Sequence, residues 1–278
     1  MKLKTLLTII IAVATMTYAS AQNNKIIKQQ RELAAFTTID AASGWEVLVK
    51  QGKQQSVTIE ITESELERAI IEVKNGTLHI YNKPTNRIFS RRNRKIVQKA
   101  YLTVTDLTKI SASGGVDIQF ETPLKTTDFK ITMSGGSDLK NLPLDCRTFI
   151  GTFSGGCDAK ITFTAVDNIN VNASGGSDID LYDINSKRCD ISASGGCDMT
   201  LTGKTENLSI QASGGCDISA SRLEARNCTA SFSGSADGKI NVTNKLDINI
   251  SGSSSVNCYG NPSQVEKRVH RSSSLRMR

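Results

Sequence analysis

Apolar and polar residues alternate along most of the chain with a period of two. In the segment ISASGGVDIQF (residues 110–120), apolar residues and one glycine occupy the even-numbered positions, and polar residues and a second glycine occupy the odd-numbered ones. This alternation predicts β-strands that turn one face toward a core. Helical periodicity is absent here, and the strand formers Thr, Ile, Val and Phe are frequent. The pattern therefore predicts an all-β fold.

The strands recur together with the motif Ser-Gly-Gly-x-Asp, in which x is variable. The motif serine stands at positions 113, 134, 154, 174, 194, 213, 233 and 251, so successive copies are 18 to 21 residues apart. A near-constant unit of about 20 residues is typical of one coil of a solenoid. With stacked strands about 4.8 Å apart, eight coils form a stack about 35–40 Å long. The sequence predicts a parallel β-helix of about eight 20-residue coils.

The two motif glycines differ in how strictly they recur. The first is present in all eight copies, whereas the second is replaced by Ser235 and Ser253 in the last two. A position that always lacks a Cβ indicates either a positive φ or a coil that is too tight for a side chain. We interpret the first glycines as structural residues of the repeat: Gly114, Gly135, Gly155, Gly175, Gly195, Gly214, Gly234 and Gly252.

The variable residue of the motif falls on the inward face and is always small. The inward set is Val116, Ser137, Cys157, Ser177, Cys197, Cys216 and Ala236. The chain has seven Cys, and we interpret most of them as small buried residues. Cys197 and Cys216 stand in adjacent coils near disulfide range, so the sequence leaves their pairing open. Since no CxxC pair occurs and His79 lies far from His270, a structural zinc site is not predicted.

The motif aspartates share one phase and should form an outward column with one carboxylate per coil. Carboxylates about 5 Å apart repel each other by roughly 1 kcal/mol in water. Hydrogen bonds from the glycine N–H groups or a serine hydroxyl, a bound cation such as Ca²⁺, or a raised pKa would relieve this repulsion. The sequence leaves these routes open and predicts no other cofactor or metal. The column comprises Asp117, Asp138, Asp158, Asp178, Asp198, Asp217 and Asp237.

Residues 35–100 also predict β structure, which we interpret as a cap and first coil. The sequence SGWEV around Trp45 is similar to a degenerate first copy, and Trp45 is large enough to close the end of the stack. The segment ESELERAI predicts one short helix, and IIEVKNGTLHIYNK predicts a hairpin with Asn75-Gly76 at its turn. Residues 101–260 then hold the motif coils, residues 261–278 form a basic C-terminal segment, and 35–278 make one domain.

The first 21 residues have the order of a secretory signal peptide. Basic residues precede an apolar run, and a small-residue site follows, which predicts cleavage after Ala21. Residues 22–34 are predicted to be a flexible segment. No later stretch approaches 18 apolar residues, so no membrane span is predicted. We expect the chain to be exported to the periplasm, the cell surface or the medium.

The formal net charge of +7 comes largely from two basic clusters. In an exported protein they would contact acidic glycans or anionic head groups, or form a solvated loop and tail. With 5% aromatic residues and one Trp, the chain has few surfaces on which bases could stack, which weighs against a nucleic-acid partner. The first cluster, a candidate anion contact, is Arg87, Arg91, Arg92, Arg94 and Lys95, and the second is Lys267, Arg268, Arg271, Arg276 and Arg278.

The serial SGGxD motif, the hairpin sequence VKNGTLHI, the early Ser43-Gly44 pair and the sequence YGNP before the basic end occur together. In this combination, residues 35–278 resemble the head GIN domain family of putative auto-transporter adhesins, exported bacterial proteins similar to those of Bacteroidetes. The resemblance implies a right-handed parallel β-helix and an adhesin-like role. It brings no catalytic residues with it.

The resulting functional hypothesis is a non-catalytic exported adhesin or envelope scaffold that binds surface glycans or proteins through polar ladders. A calcium-binding solenoid and a polysaccharide-active enzyme are the alternatives, and a homo-oligomer stays open. For the enzyme, Arg147, Lys160 and Arg188 are candidates by residue type alone, since no His lies in the coils. The polar ladder is expected to include Thr132, Thr152, Asn172, Ser192, Gln211 and Ser231.

Overall fold

A computed structural model describes residues 25–84 and 96–278. The described residues contain one short 3₁₀ turn, Glu63–Glu65, and no α-helix. The signal peptide and the first basic cluster lie outside the described residues. The strands are β1 (Ile26–Arg31), β2 (Thr38–Ala42), β3 (Glu46–Gln51), β4 (Ser56–Thr62), β5 (Ala69–Lys74), β6 (Thr77–Asn82), β7 (Gln98–Val104), β8 (Lys109–Ser113), β9 (Asp117–Phe120), β10 (Leu124–Lys125), β11 (Asp128–Ser134), β12 (Asp138–Asp145), β13 (Thr148–Gly155), β14 (Asp158–Ala165), β15 (Asn168–Gly175), β16 (Asp178–Gly195), β17 (Asp198–Gly214), β18 (Asp217–Gly234), β19 (Asp237–Ile250), β20 (Ser255–Tyr259), β21 (Gln264–Val269) and β22 (Ser274–Met277).

The motif strands stack in parallel with the repeat in register. β15 pairs with β16 from Asn168 opposite Arg188 through to Gly175 opposite Gly195. The same parallel pairing joins β8 to β11, β11 to β13, and the successive strands from β16 to β19. The prediction of an all-β parallel solenoid of about eight turns is confirmed.

The inward residues of all coils form one continuous apolar core. Alternate residues of the motif strands are buried, as Phe129, Ile131 and Met133 of β11 illustrate. Phe129 and Phe149 stack in adjacent coils with ring centroids 6.4 Å apart, and Phe149 meets Phe163 edge-on at 5.5 Å. Gly151 leaves the room that these large rings need, because a Cβ there would lie 2.7 Å from the ring of Phe153. Large and small residues thus alternate to fill the narrow coil.

The early SGWEV segment forms a first copy of the corner, as its sequence predicts. Glu46 pairs with Asp117 and Ala42 with Ser113, so the segment is in register with the repeat. Trp45 occupies the inward position and is fully buried. Antiparallel strands complete this end of the sheet, since β5 pairs with β6, β4 pairs with β7, and β1 pairs with β4.

The hairpin turn at Asn75-Gly76 is present between β5 and β6. Both residues have a positive φ, 49° and 73°, as a two-residue turn of this kind requires. The predicted helix over ESELERAI is wrong beyond one 3₁₀ turn. Ala69 and Ile70 belong instead to β5, because pairing with β6 gives their backbone groups partners that an isolated helical turn would not supply.

The prediction of a flexible segment over residues 22–34 is wrong for residues 26–31. These residues form β1, which pairs antiparallel with β4 from Ile26 opposite Thr62 to Arg31 opposite Val57. None of the β1 residues is fully buried. Backbone hydrogen bonds to the sheet edge, rather than burial of an apolar face, order this strand. Its side-chain pattern therefore does not predict it.

The basic C-terminal segment extends the solenoid. β21 pairs in parallel with β19, and β22 pairs with β20, so the two strands form one further rung. All β21 residues are exposed. None of the described residues belongs to a helix of the length and apolarity that a membrane crossing requires.

Candidate binding face

The first motif glycines form the corner of every coil. All eight have φ between 64° and 92°. An added Cβ at Gly195 would lie 2.8 Å from the carbonyl oxygen of Gly175 in the preceding coil. The second glycines are less constrained from the third copy onward, since Gly156 and Gly176 have open space at the Cβ position and no positive φ, whereas Gly115 and Gly136 of the first two copies have φ of 79° and 72°. Left-handed backbone and close stacking therefore both act at the first position.

In five coils the variable motif residue is Ser or Cys and donates a hydrogen bond to the motif serine carbonyl at this corner, whereas Val116 and Ala236 have no side-chain donor. Ser137 donates its hydroxyl to the carbonyl of Ser134 at 2.9 Å, three residues earlier. Cys157 and Cys197 donate their thiols to the equivalent serine carbonyls, each at 3.2 Å. The motif cysteines thus act as donors as well as small core residues.

The described cysteines are buried thiols and none forms a disulfide. Cys197 and Cys216, whose pairing the sequence leaves open, are free in this structure. Burial raises the pKa of Cys189 and Cys228 to about 12. These two thiols are held in the protonated, unreactive form at neutral pH.

The motif aspartates form a column along the outside of the corner, with each carboxylate opposite the next in register. The glycine N–H groups do not relieve the column, because they donate across the stack to other glycines. Gly196 donates to the carbonyl of Gly175 at 2.7 Å, and Gly176 donates to that of Gly155 at 3.0 Å. Among the described residues, the one ion pair of the column joins Asp117 to Lys140 at 3.7 Å.

Partial burial and mutual repulsion raise the pKa of alternate members of the column. For Asp138, Asp178 and Asp217, desolvation is the larger cause, and the carboxylates of the adjacent coils add to it. Among the residues that the structure describes, no three His, Cys, Asp or Glu side chains converge into a group that could hold a metal ion. The column is a line of carboxylates rather than a cage.

Two columns of uncharged polar side chains cover the face that precedes the corner. We call these two columns the hydroxyl face. Their residues are half-buried or exposed, and they follow the strand register from coil to coil. The column that runs from Ser111 to Asn249 is flanked by Asp40 on one side and by Arg268 on the other. The hydroxyl face consists of Ser111, Thr132, Thr152, Asn172, Ser192, Gln211, Ser231 and Asn249, with Ser113, Ser134, Ser154, Ser174, Ser194, Ser213 and Ser233 beside them.

An asparagine ladder that the sequence motifs did not predict supports the solenoid at another corner. Asn227 donates its side-chain amide to the Asn207 carbonyl oxygen at 3.1 Å, and Asn244 donates to Asn227 at 2.9 Å. Asn207 in turn donates its side-chain amide to the backbone carbonyl of Lys187. A spacing of 20 and then 17 residues is the only signal that could have indicated it.

A groove of about 610 Å³ lies where the early coils turn between β10 and β11. Thr108, Thr127 and Thr148 line it together with Lys130 and Ile150. The strands of these coils are interrupted at this turn, whereas β16 to β19 run through the later turns without a break. The groove was not predicted, because it depends on where individual strands end.

The residues considered for catalysis are not brought together. Arg147 pairs with Asp128 at 3.2 Å, while Lys160 lies over the ring of Tyr182 at 5.3 Å from the centroid. Arg188 stands on the strand face in register with Asn168. The three candidates therefore do not form one site, and Arg147 and Lys160 each contact a side chain outside the set.

Two solved structures resemble the whole chain in fold. A protein described as a putative lipid binding protein from Parabacteroides distasonis has a TM-score of 0.68 and 20% identity, covering 92% of this chain and 98% of its own. A putative adhesin from Parabacteroides merdae has a TM-score of 0.67 and 16% identity, covering 92% and 97%. No functionally curated protein matches the sequence. The profile of the family described as putative auto-transporter adhesin, head GIN domain, matches residues 35–202 and 164–262, and the chain belongs to this family.

Proposed function

We propose that the protein is a non-catalytic, exported adhesin-like protein that binds a surface glycan or protein through the hydroxyl face. Membership of the head GIN family and the likeness to a solved putative adhesin support the adhesin-like role. Export is supported by the same family and by the order of residue types in positions 1–21. The recurrence of acidic residues in every coil supports a scaffold, because a catalytic site requires a departure from the repeat.

The single observation that carries the proposal is the uncharged hydroxyl face. Hydroxyls and amides both donate and accept hydrogen bonds, as sugar hydroxyls and exposed peptide groups require. The rungs repeat every 4.8 Å or so, which presents the same groups many times to an extended ligand. Contacts that are weak singly become strong together when the ligand spans several rungs. Glycan or protein on a cell surface supplies such an extended ligand.

A glycan array and a cell-binding assay with protein purified after export test the proposal. The double variant Thr152→Glu/Ser192→Glu places two carboxylates on the hydroxyl face, and we expect it to lose binding by at least about tenfold, since buried or misplaced charge opposes hydrogen-bonded contact. The matched control Thr162→Glu/Ser219→Glu carries the same charges on strands after the corner. Absence of binding to every glycan and cell type would contradict the adhesin proposal, as would equal loss in both variants.

A further inference from the structure

Two lysines stack on adjacent rungs next to the groove. Lys109 of β8 pairs in register with Lys130 of β11, and both side chains are exposed. Stacked parallel strands lie about 4.8 Å apart, so the two ammonium groups repel each other unless an anion lies between them. Neither lysine forms an ion pair with any residue in the described ranges.

One of the two acidic side chains that line the groove forms an ion pair. Asp128 pairs with Arg147 at 3.2 Å, whereas Asp106 accepts a hydrogen bond from the Thr126 hydroxyl at 3.2 Å, which leaves its negative charge in place. Lys125, which also lines the groove, pairs with Asp145 at 3.3 Å. Lys130 in the lining and Lys109 beside it therefore exceed this one unpaired carboxylate by one positive charge.

A second groove at the corresponding turn of the later coils shows the contrast. It has a volume of about 420 Å³ and is lined by Lys187 and Lys204. Lys187 pairs with Asp167 at 3.5 Å, and Lys204 pairs with Glu224 at 3.6 Å. The lysines of the later groove thus have protein partners. Lys125 of the first groove has a partner too, so among these described lysines Lys109 and Lys130 are the two without an ion pair.

The rung that follows the lysine pair presents an apolar side chain. Ile150 stands in register with Lys130 and is 38% exposed, in a column that is otherwise polar. Three rungs span about 10 Å, which matches a pyranose ring with a carboxylate at one edge. Thr132 lies two residues beyond Lys130 on the same strand and belongs to the hydroxyl face. A chain of sugars could therefore run from the lysine pair onto that face.

We propose that Lys109, Lys130 and Ile150 form a subsite for a carboxylated sugar of an acidic glycan. The lysines bind the carboxylate, Ile150 packs against the C–H face of the ring, and the threonine hydroxyls of the groove bind the sugar hydroxyls. The subsite rests on the proposed function, since it names the class of glycan that the hydroxyl face would receive. Both the charge and the apolar contact are needed, which separates this ligand from a simple polyanion.

The test compares polygalacturonate with its fully methyl-esterified form, because the two polymers share a backbone and differ in charge. We expect the wild-type protein to bind polygalacturonate more tightly, and added salt to weaken that binding. Lys109→Gln/Lys130→Gln should bind polygalacturonate about tenfold more weakly, since two charge contacts are lost. Lys109→Arg/Lys130→Arg should retain binding, as should the matched control Lys187→Gln/Lys204→Gln. Ile150→Ser should weaken binding without changing its salt dependence.

Four outcomes would overturn the inference. Equal binding of the two polymers would remove the role of the carboxylate and leave the proposed function standing. Equal loss in the control variant would show a general effect of charge. Lysine-dependent binding of polyglutamate or of anionic vesicles with the same affinity would replace the sugar by any polyanion. Absence of binding to every glycan and every cell type would remove the proposed function and this subsite together.

Discussion

Cys197 donates its thiol hydrogen to the carbonyl oxygen of Ser194 across 3.2 Å, inside the corner of its coil. Ser177 does the same one coil earlier, with its hydroxyl 3.2 Å from the carbonyl of Ser174. The two side chains therefore perform one task, which is to donate a hydrogen bond to the serine carbonyl where the chain turns. Thiol and hydroxyl are interchangeable at this position for that reason.

The interchange leads to a first prediction. Cys197→Ser should leave the free energy of unfolding within about 0.5 kcal/mol of the wild type, because the shorter hydroxyl is also a stronger donor. Cys197→Ala should lower it by about 1–2 kcal/mol, since it removes both the donor and buried volume. Urea unfolding of the two variants measures the difference. Equal stability of the serine and alanine variants would show that the thiol acts only as filler.

The second prediction concerns the two neighbouring glycines of the same corner. Gly195 has a φ of 92° and a Cβ there would lie 2.8 Å from the Gly175 carbonyl oxygen, whereas Gly196 has no positive φ and a Cβ there would lie 3.9 Å from the same oxygen, an ordinary contact. Gly195→Ala should therefore lower the free energy of unfolding by about 2–4 kcal/mol, from left-handed strain and the steric clash together. Gly196→Ala is the matched control and should change it by less than about 1 kcal/mol. Chemical denaturation measures both, and similar values for the pair would contradict the assignment.

The sequence predicts the solenoid because its repeat, its two-residue alternation and its turn glycines all point to the same structure. The copy at Trp45 could be placed as well, since its register with Asp117 follows from residue types alone. The features that the sequence does not predict depend on which strands pair, and residue type does not determine this pairing. β1 is ordered by backbone bonds to β4, and its own side chains alternate too weakly to indicate a strand.

The candidate site is predictable only in part for a related reason. The polar ladder around Thr152 follows from the period, because a regular stack repeats every outward position. The lysine pair cannot be predicted from the sequence, because only the structure shows that Lys109 and Lys130 are stacked and that neither forms an ion pair among the described residues. The donor role of Cys197 is equally hidden, because serine and cysteine at an inward position look like small filler until the carbonyl of Ser194 is seen beside them.

The third prediction is a pH dependence that originates in the aspartate column. The pKa of Asp178 is raised in the folded protein by partial burial and by its neighbours Asp158 and Asp198. A raised pKa means that the folded state binds the proton more tightly than the unfolded state does. The column therefore contributes stability below the ordinary pKa of an aspartate, and loses it as pH rises through the raised value.

Asp178→Asn should accordingly raise the stability at pH 7 and flatten its rise on acidification. The gain should be below about 1 kcal/mol, because the carboxylates are largely exposed and screened. Asp190→Asn, on a strand face outside the column, removes the same charge and serves as the control. Thermal unfolding between pH 3 and pH 7 measures the profiles. A steeper profile in the column variant than in the control would contradict the origin assigned here.

The fourth prediction distinguishes a column of carboxylates from a calcium site. Each inner carboxylate of the column faces one carboxylate above and one below, and among the described residues none joins a convergent group of three. Calcium requires six to eight oxygen ligands, so a straight column would have to recruit most of them from water. We expect the melting temperature in millimolar Ca²⁺ to equal that in Mg²⁺ at the same ionic strength. A ligand that binds only the folded state must stabilise it. A Ca²⁺-specific rise that disappears in Asp178→Asn would therefore establish a site on the column, whereas a rise that persists in this variant would place the ion elsewhere.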